Sequence, residues 1–259
     1  CTGPSFPGSI GLAYASSLTA ITVSPGNPAY CMEGGILCRK LPSGNLEAVL
    51  CAGGADAVSL SPRVERVLAS TFAGTRAIGH LRVSESTAFP DERPPLPNGS
   101  CDQLTIDFAV PRGSATSLTL EMPKGKARPH VLACAFSQGR VRPEALTNAY
   151  DSALLKLDDE LEKTRLAAAR LAQPTLLGEE AGGEFRRLLD TALASLCAHA
   201  GARNDWGTLD NLMQAGVLDA ERIPEAIDVL NRFGFTLAAA HVMDEKEKRF
   251  GSQCIDYGI

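Results

Sequence analysis

The stretch PEALTNAYDSALLKLDDELEKTRLAAARL, Pro143 to Leu171, carries the clearest structural signal in this chain. Leu146, Tyr150, Ala153, Leu157, Leu161, Thr164, Ala168 and Leu171 recur at three- and four-residue steps, which places them on one face of an α-helix. Pro143 suits a first helical turn, and Gln173-Pro174 ends the pattern. The spacing predicts one amphipathic helix of about 28 residues, roughly 42 Å long at 1.5 Å per residue. Asp158, Asp159, Glu160, Glu162 and Lys163 fill its outward face.

Working outward from that stretch, the C-terminal side remains helical. A second helix is expected after Gly182-Gly183, burying Phe185, Leu188, Leu189, Ala192, Leu193 and Leu196. A third runs from about Thr208 to Ala215 and stops at Gly216, with Trp206 near its start as a packing anchor. A fourth begins at Pro224, buries Ile227, Leu230 and Phe233, and ends at Gly234.

On the N-terminal side the character changes near residue 130. Short apolar runs at Ile10–Tyr14, Leu18–Val23, Leu46–Leu50, Ala77–Val83, Leu104–Val110 and Ser117–Met122 are separated by Gly, Pro, Ser and Asn, and read as strands. Leu104-Thr-Ile-Asp-Phe-Ala-Val110 alternates with period two, as a half-buried strand must. Ser61-Pro62, followed by Val64, Val67, Leu68 and Phe72, predicts one helix among them. No internal repeat stands out. The expected fold is α+β: a β-rich region, residues 1–129, with one or two helices, then an antiparallel helical bundle, residues 130–259. Pro123–Pro129 is the expected linker, with Lys124, Lys126 and Arg128 as solvated charges.

Composition narrows the function. The 259 residues carry a formal charge of -5, with 44% hydrophobic residues, which suits a globular chain. The first 129 residues carry a net +1 and the remainder -6. Such a balance disfavours phosphate-backbone binding, so no nucleic-acid partner is expected. No run of apolar residues is long enough for a membrane span. Eight cysteines include several inside apolar segments, which favours a reducing compartment, cytoplasm or organelle matrix. The spacing of Cys31, Cys38 and Cys51 is not that of a zinc knuckle, and His80, His130, His199 and His241 are scattered, so no metal is expected. Glycine-rich phosphate and dinucleotide motifs are missing too, and no cofactor is expected.

The chain opens on Cys1. A thiol beside a free α-amino group, whose pKa is near 8, is a nucleophile carrying its own base. Gly74-Thr-Arg-Ala-Ile-Gly-His80-Leu-Arg82-Val-Ser-Glu-Ser-Thr87 resembles the Gly-His-x-Arg strand of class II glutamine amidotransferases, whose chains also begin at a catalytic cysteine. The resemblance implies an amide hydrolase, active or degenerate, in which Cys1 attacks a small amide substrate. Arg82, with His80 beside it, would hold the substrate carboxylate. Where that family places the His-Asn-Gly that binds the oxyanion, this chain has Pro111-Arg112-Gly113.

The alternative is a non-catalytic subunit of a larger assembly, such as a capsid or organellar complex. It would dock on partner subunits, or on copies of itself, through the Leu146–Leu171 face of the long helix. A small-ligand binding module is a third reading.

Overall fold

A computed structural model describes residues 18–53, 55–75, 78–90, 96, 101–109 and 115–251. Cys1, the run Ile10–Tyr14, and Pro111 to Gly113 lie outside the described residues. The fold is α+β, with mixed sheets towards the N-terminus and helices towards the C-terminus. It forms two compact units, Cys1–Ala153 and Leu154–Ile259, so the division falls beyond residues 129/130.

Among the described residues the first unit holds eight strands: β1 (Tyr30–Glu33), β2 (Ile36–Lys40), β3 (Leu46–Cys51), β4 (Ala57–Ser59), β5 (Val64–Val67), β6 (Ile78–Ser84), β7 (Cys101–Ala109) and β8 (Ala115–Glu121). They form two sheets, ordered β1-β2-β3-β5 and β4-β6-β7-β8. From β3 to β6 the chain visits the two sheets alternately, and between β6 and β7 Ala88 bridges to Arg66 of the first sheet. β5 lies parallel to β3, and β6 parallel to β4 and β7. Parallel neighbours need a crossover, and here each crossover is a pass through the opposite sheet. In the second sheet Ala57 stands opposite His80 and His80 opposite Gln103, an interval of 23 residues each time. The backbone therefore repeats although the side chains do not. Antiparallel strands complete one side of each sheet, β2 and then β1 beyond β3, and β8 beyond β7.

Apolar ladders hold these turns together. Val58, Leu81, Leu104 and Leu120 are in register across four strands, and none is more than 2% exposed. Val83, Ile106 and Leu118 form a second ladder. Each such side chain contributes about 1.5–3 kcal/mol by leaving water.

The helix expected at 61–72 is not formed. Val64 N donates to Ser61 O at 2.9 Å, so Ser61-Pro62 opens a β-turn with proline at its second position. β5 follows, with β-branched Val64 and Val67 buried and paired to β3. Consecutive turns then run to Thr75, and the Thr71 hydroxyl donates to Ala48 O at 2.9 Å. Leu18–Val23 is not a strand either; Leu18, Ile21 and Val23 pack on Leu37 and Leu50.

The expected linker is partly helix α1 (Ala127–Ala135). Arg128 is tied to it rather than solvated, donating from Nη1 to Asp102 at 2.8 Å and from Nε to Pro123 O. Helix α2 (Pro143–Leu155) belongs mainly to this unit, and its Tyr150 hydroxyl donates to Glu121 O at 2.9 Å.

The 28-residue helix is two helices. α2 ends at Leu155, and α3 (Glu160–Ala172) starts afresh. The Asp159 carboxylate accepts from Leu161 N and Glu162 N, both at 3.0 Å, and so caps the new helix. Glu160 and Glu162 then lie in its first turn, where the helix dipole favours negative charge. Leu146, Tyr150, Leu154, Leu166 and Leu171 are all buried. Ala153, Leu157 and Leu161 of the expected stripe are partly buried.

In the second unit α3 is followed by α4 (Glu179–Arg203), α5 (Trp206–Gln214), α6 (Ile223–Arg232) and α7 (Thr236–Phe250). α4 touches each of the other four. It starts before Gly182-Gly183, which lie inside it, and ends at Asn204 in the left-handed region. α7 has no counterpart in the sequence pattern, because its buried residues, Ala238, Ala239 and Val242, are few and small. No helix among the described residues is long and apolar enough to cross a membrane.

Candidate functional site

The two described residues of the expected catalytic site lie on β6, on the outer face of the second sheet. Arg82 donates from Nε and Nη2 to the two carboxylate oxygens of Asp107 on β7, at 2.7 and 2.9 Å. The Asp107 hydrogen bond, reinforced by its charge, raises the Arg82 pKa. His80 Nε2 is 2.8 Å from Thr105 Oγ1, which is 2.8 Å from Thr119 Oγ1. Arg82 is thus arranged to hold a carboxylate, and the carboxylate it holds is its own chain's. The structure brings His80 and Arg82 to one face; Cys1 lies outside the described residues.

In the helical unit a histidine is paired to a carboxylate. His241 Nε2 is 2.8 Å from Asp210 Oδ1, and the Trp206 ring lies 5.1 Å from the imidazole. No thiol or hydroxyl is bonded to that histidine in this pair, so it reads as a clasp between α5 and α7. No group of three or more metal-ligating side chains occurs among the described residues.

The outer face of the first sheet is built differently, and two bulges build it. Leu37 pairs with Leu50 and Cys38 with Ala48, so Val49 is an extra residue in β3. This puts both Glu47 and Leu50 on the outer face. Leu46 pairs with Val64 and Glu47 with Arg66, so Glu65 is an extra residue in β5. Without that second bulge Glu47 would face Glu65, a destabilising like-charge pair. With it, Glu65 turns to Ser43 Oγ and Asn45 Nδ2, both at 3.2 Å.

The result is a row running across the sheet. Arg39 stands opposite Glu47, Glu47 opposite Arg66, Arg66 opposite Ala88, and Ala88 opposite Arg140. Directly opposed residues share a face, so three guanidiniums and one carboxylate line up. Glu47 is only 1% exposed and is ion-paired to both Arg39 and Arg66, whose side chains are 48% and 51% exposed. A buried carboxylate is tolerated only when so paired. A guanidinium has five N–H donors, so Arg39 and Arg66 keep capacity towards solvent. Arg140 is exposed and has no polar partner among the described residues.

Next to the row lies an apolar hollow of about 330 Å³ lined by Leu18, Ile21, Val23, Tyr30, Leu37 and Leu50. Tyr30 is the direct cross-strand neighbour of Arg39. Asn27 shapes the rim: its side-chain oxygen accepts from Ala29 N and Tyr30 N, both at 2.9 Å, and its carbonyl accepts from Lys40 Nζ at 2.6 Å. An apolar depression with converging cations at its edge is an arrangement that holds a ligand with one greasy and one anionic part. A second hollow, about 480 Å³, lies between the start of α4 and the end of α5. Its one cation, Arg186, donates to Ala215 O, so it has no comparable charge.

Sequence reading missed this face because its members are far apart in the chain and none belongs to a motif. The usable signal was weak: Arg39, Arg66 and Arg140 each lie in or beside a short apolar run. No family model, curated protein or solved structure matches this chain.

Proposed function

We propose that this chain is a non-catalytic binding subunit that captures an acidic segment of a partner protein on the outer face of its first sheet. The observation that carries this reading is the register row Arg39, Glu47, Arg66, Ala88, Arg140, in which two cations share one carboxylate and a third stands further along the same row. Glu47 pre-organises two of the guanidiniums, so less side-chain entropy is lost when a ligand arrives. The row crosses four strand intervals, about 19 Å at the usual spacing. That length suits an extended peptide with several carboxylates better than one small anion. The neighbouring hollow would take an apolar side chain of the same segment. A net charge of -5 on the whole chain argues against a nucleic-acid partner.

The test is fluorescence anisotropy with a dye-labelled peptide of alternating Asp and Glu around a single Phe. Binding is expected, weakening as salt rises. Arg140→Glu should lower affinity about tenfold, equivalent to about 1.4 kcal/mol. That side chain has no partner to lose among the described residues, so the loss would not report misfolding. Failure to bind, or equal binding by Arg140→Glu, overturns the proposal.

A further inference from the structure

Cys31 on β1 and Cys38 on β2 are directly opposed across the hairpin, and both are free thiols. The hairpin turns on Gly34 and Gly35, both with positive φ, and Glu33 and Ile36 close it. Only glycine fits at position 34, because a Cβ there would lie 1.8 Å from Ser59 O. Two residue pairs beyond the cysteines, Lys40 N donates to Ala29 O at 2.8 Å. Bonded and non-bonded pairs alternate along an antiparallel ladder, which makes Cys31 and Cys38 a bonded pair with Cα atoms about 5.5 Å apart. Disulfides span Cα separations of roughly 4.4–6.8 Å, so the backbone is already in place.

The two thiols differ in access. Cys38 is fully buried and Cys31 only half-buried. Burial, and secondarily the nearby Cys31, push the Cys38 thiol up to about 12. The remaining described cysteines have no such neighbour in register: Cys51 faces Ile36, Cys101 faces Ile78, and Cys134 and Cys197 lie on helices.

We infer that Cys31 and Cys38 are a reversible oxidation site that closes to a cross-strand disulfide in the presence of a peroxide. The Cys31 sulfur attacks one peroxide oxygen and the O–O bond breaks, leaving a sulfenic acid and one water. The Cys38 sulfur then attacks Cys31 Sγ. The S–S bond forms, the S–O bond breaks, and hydroxide leaves with the Cys38 proton as a second water. Two thiols are oxidised and one peroxide is reduced. Closure must draw the Cβ atoms from about 5 Å to about 3.8 Å, which strains the hairpin and keeps the bond easy to reduce.

The experiment is hydrogen peroxide treatment of the full chain, alkylation of the remaining thiols, and peptide mass mapping. A Cys31–Cys38 cross-link that dithiothreitol reverses is expected in the wild type, and none in Cys31→Ser. Cys31 is half-buried, so that variant keeps the fold; circular dichroism verifies it. The inference is overturned if both cysteines are alkylated after oxidation as fully as before it. It is equally overturned if Cys31 ends joined to any other cysteine or as a sulfinic acid.

Discussion

The outer faces of the two sheets are made of similar residues and reach opposite results. On the second sheet, Arg82 is matched to Asp107 and His80 to a threonine pair, one partner for each group. On the first, two arginines converge on one buried carboxylate and a third lies in the same row, beside an apolar hollow. The first arrangement is closed and leaves little for a ligand to gain. The second carries surplus donors held in position. A polar cluster therefore points to binding through its unspent capacity, not through the presence of a histidine and an arginine.

The comparison breaks most readily at the two carboxylates. Glu47→Ala removes the shared partner of two half-exposed guanidiniums and empties a buried position, and should destabilise the chain by about 2 kcal/mol in urea unfolding. Asp107→Ala removes the partner of a half-exposed arginine and should cost under about 1 kcal/mol. Equal costs would mean that the two faces do not differ as described.

A smaller effect should appear at alkaline pH, from beneath the same sheets. Burial raises the Cys38 thiol to about 12 and the Cys101 thiol to about 11, from 9.0. The unfolded chain ionises these thiols first and so binds fewer protons. Stability is then full below about pH 9 and falls as pH rises towards 11 and 12. Each thiol contributes at most about 1.4 kcal/mol per pH unit. Thermal melts of Cys38→Ala should show a flatter decline between pH 9 and 11 than those of the wild type. An unchanged slope would argue against a buried Cys38.

The smallest expected effect is on the second sheet. Arg82→Ala should leave binding of the acidic peptide within about twofold of wild type, because Arg82 is not in the row. Incubation with glutamine should release no ammonia that depends on Arg82. Ammonia release lost in both Cys1→Ala and Arg82→Ala would favour the amide-hydrolase reading instead.

Much of the secondary structure was legible. Period-two alternation at Leu104–Val110 and three- and four-residue steps after Pro143 located β7 and most of the helices. The errors have physical causes. Ser61-Pro62 satisfies both a helix N-cap and a β-turn, and pairing of Val64 and Val67 to β3 selected the turn. Asp159 followed by Glu160 and Glu162 is itself a helix-start signal, but the apolar stripe runs through it in phase and hides it. The 23-residue interval was invisible because Ala57, His80 and Gln103 have no side-chain likeness.

Local pattern alone determined the α+β class, since apolar periodicity dictates which element can bury its face. The row of Arg39, Glu47, Arg66 and Arg140, the opposition of Cys31 to Cys38, and the closure of Arg82 onto Asp107 were decided only in three dimensions. Each depends on strand register, and register is set by bulges and by parallel pairing between distant segments. Those are long-range choices, made by the packing of the whole sheet, which no short window of residues contains.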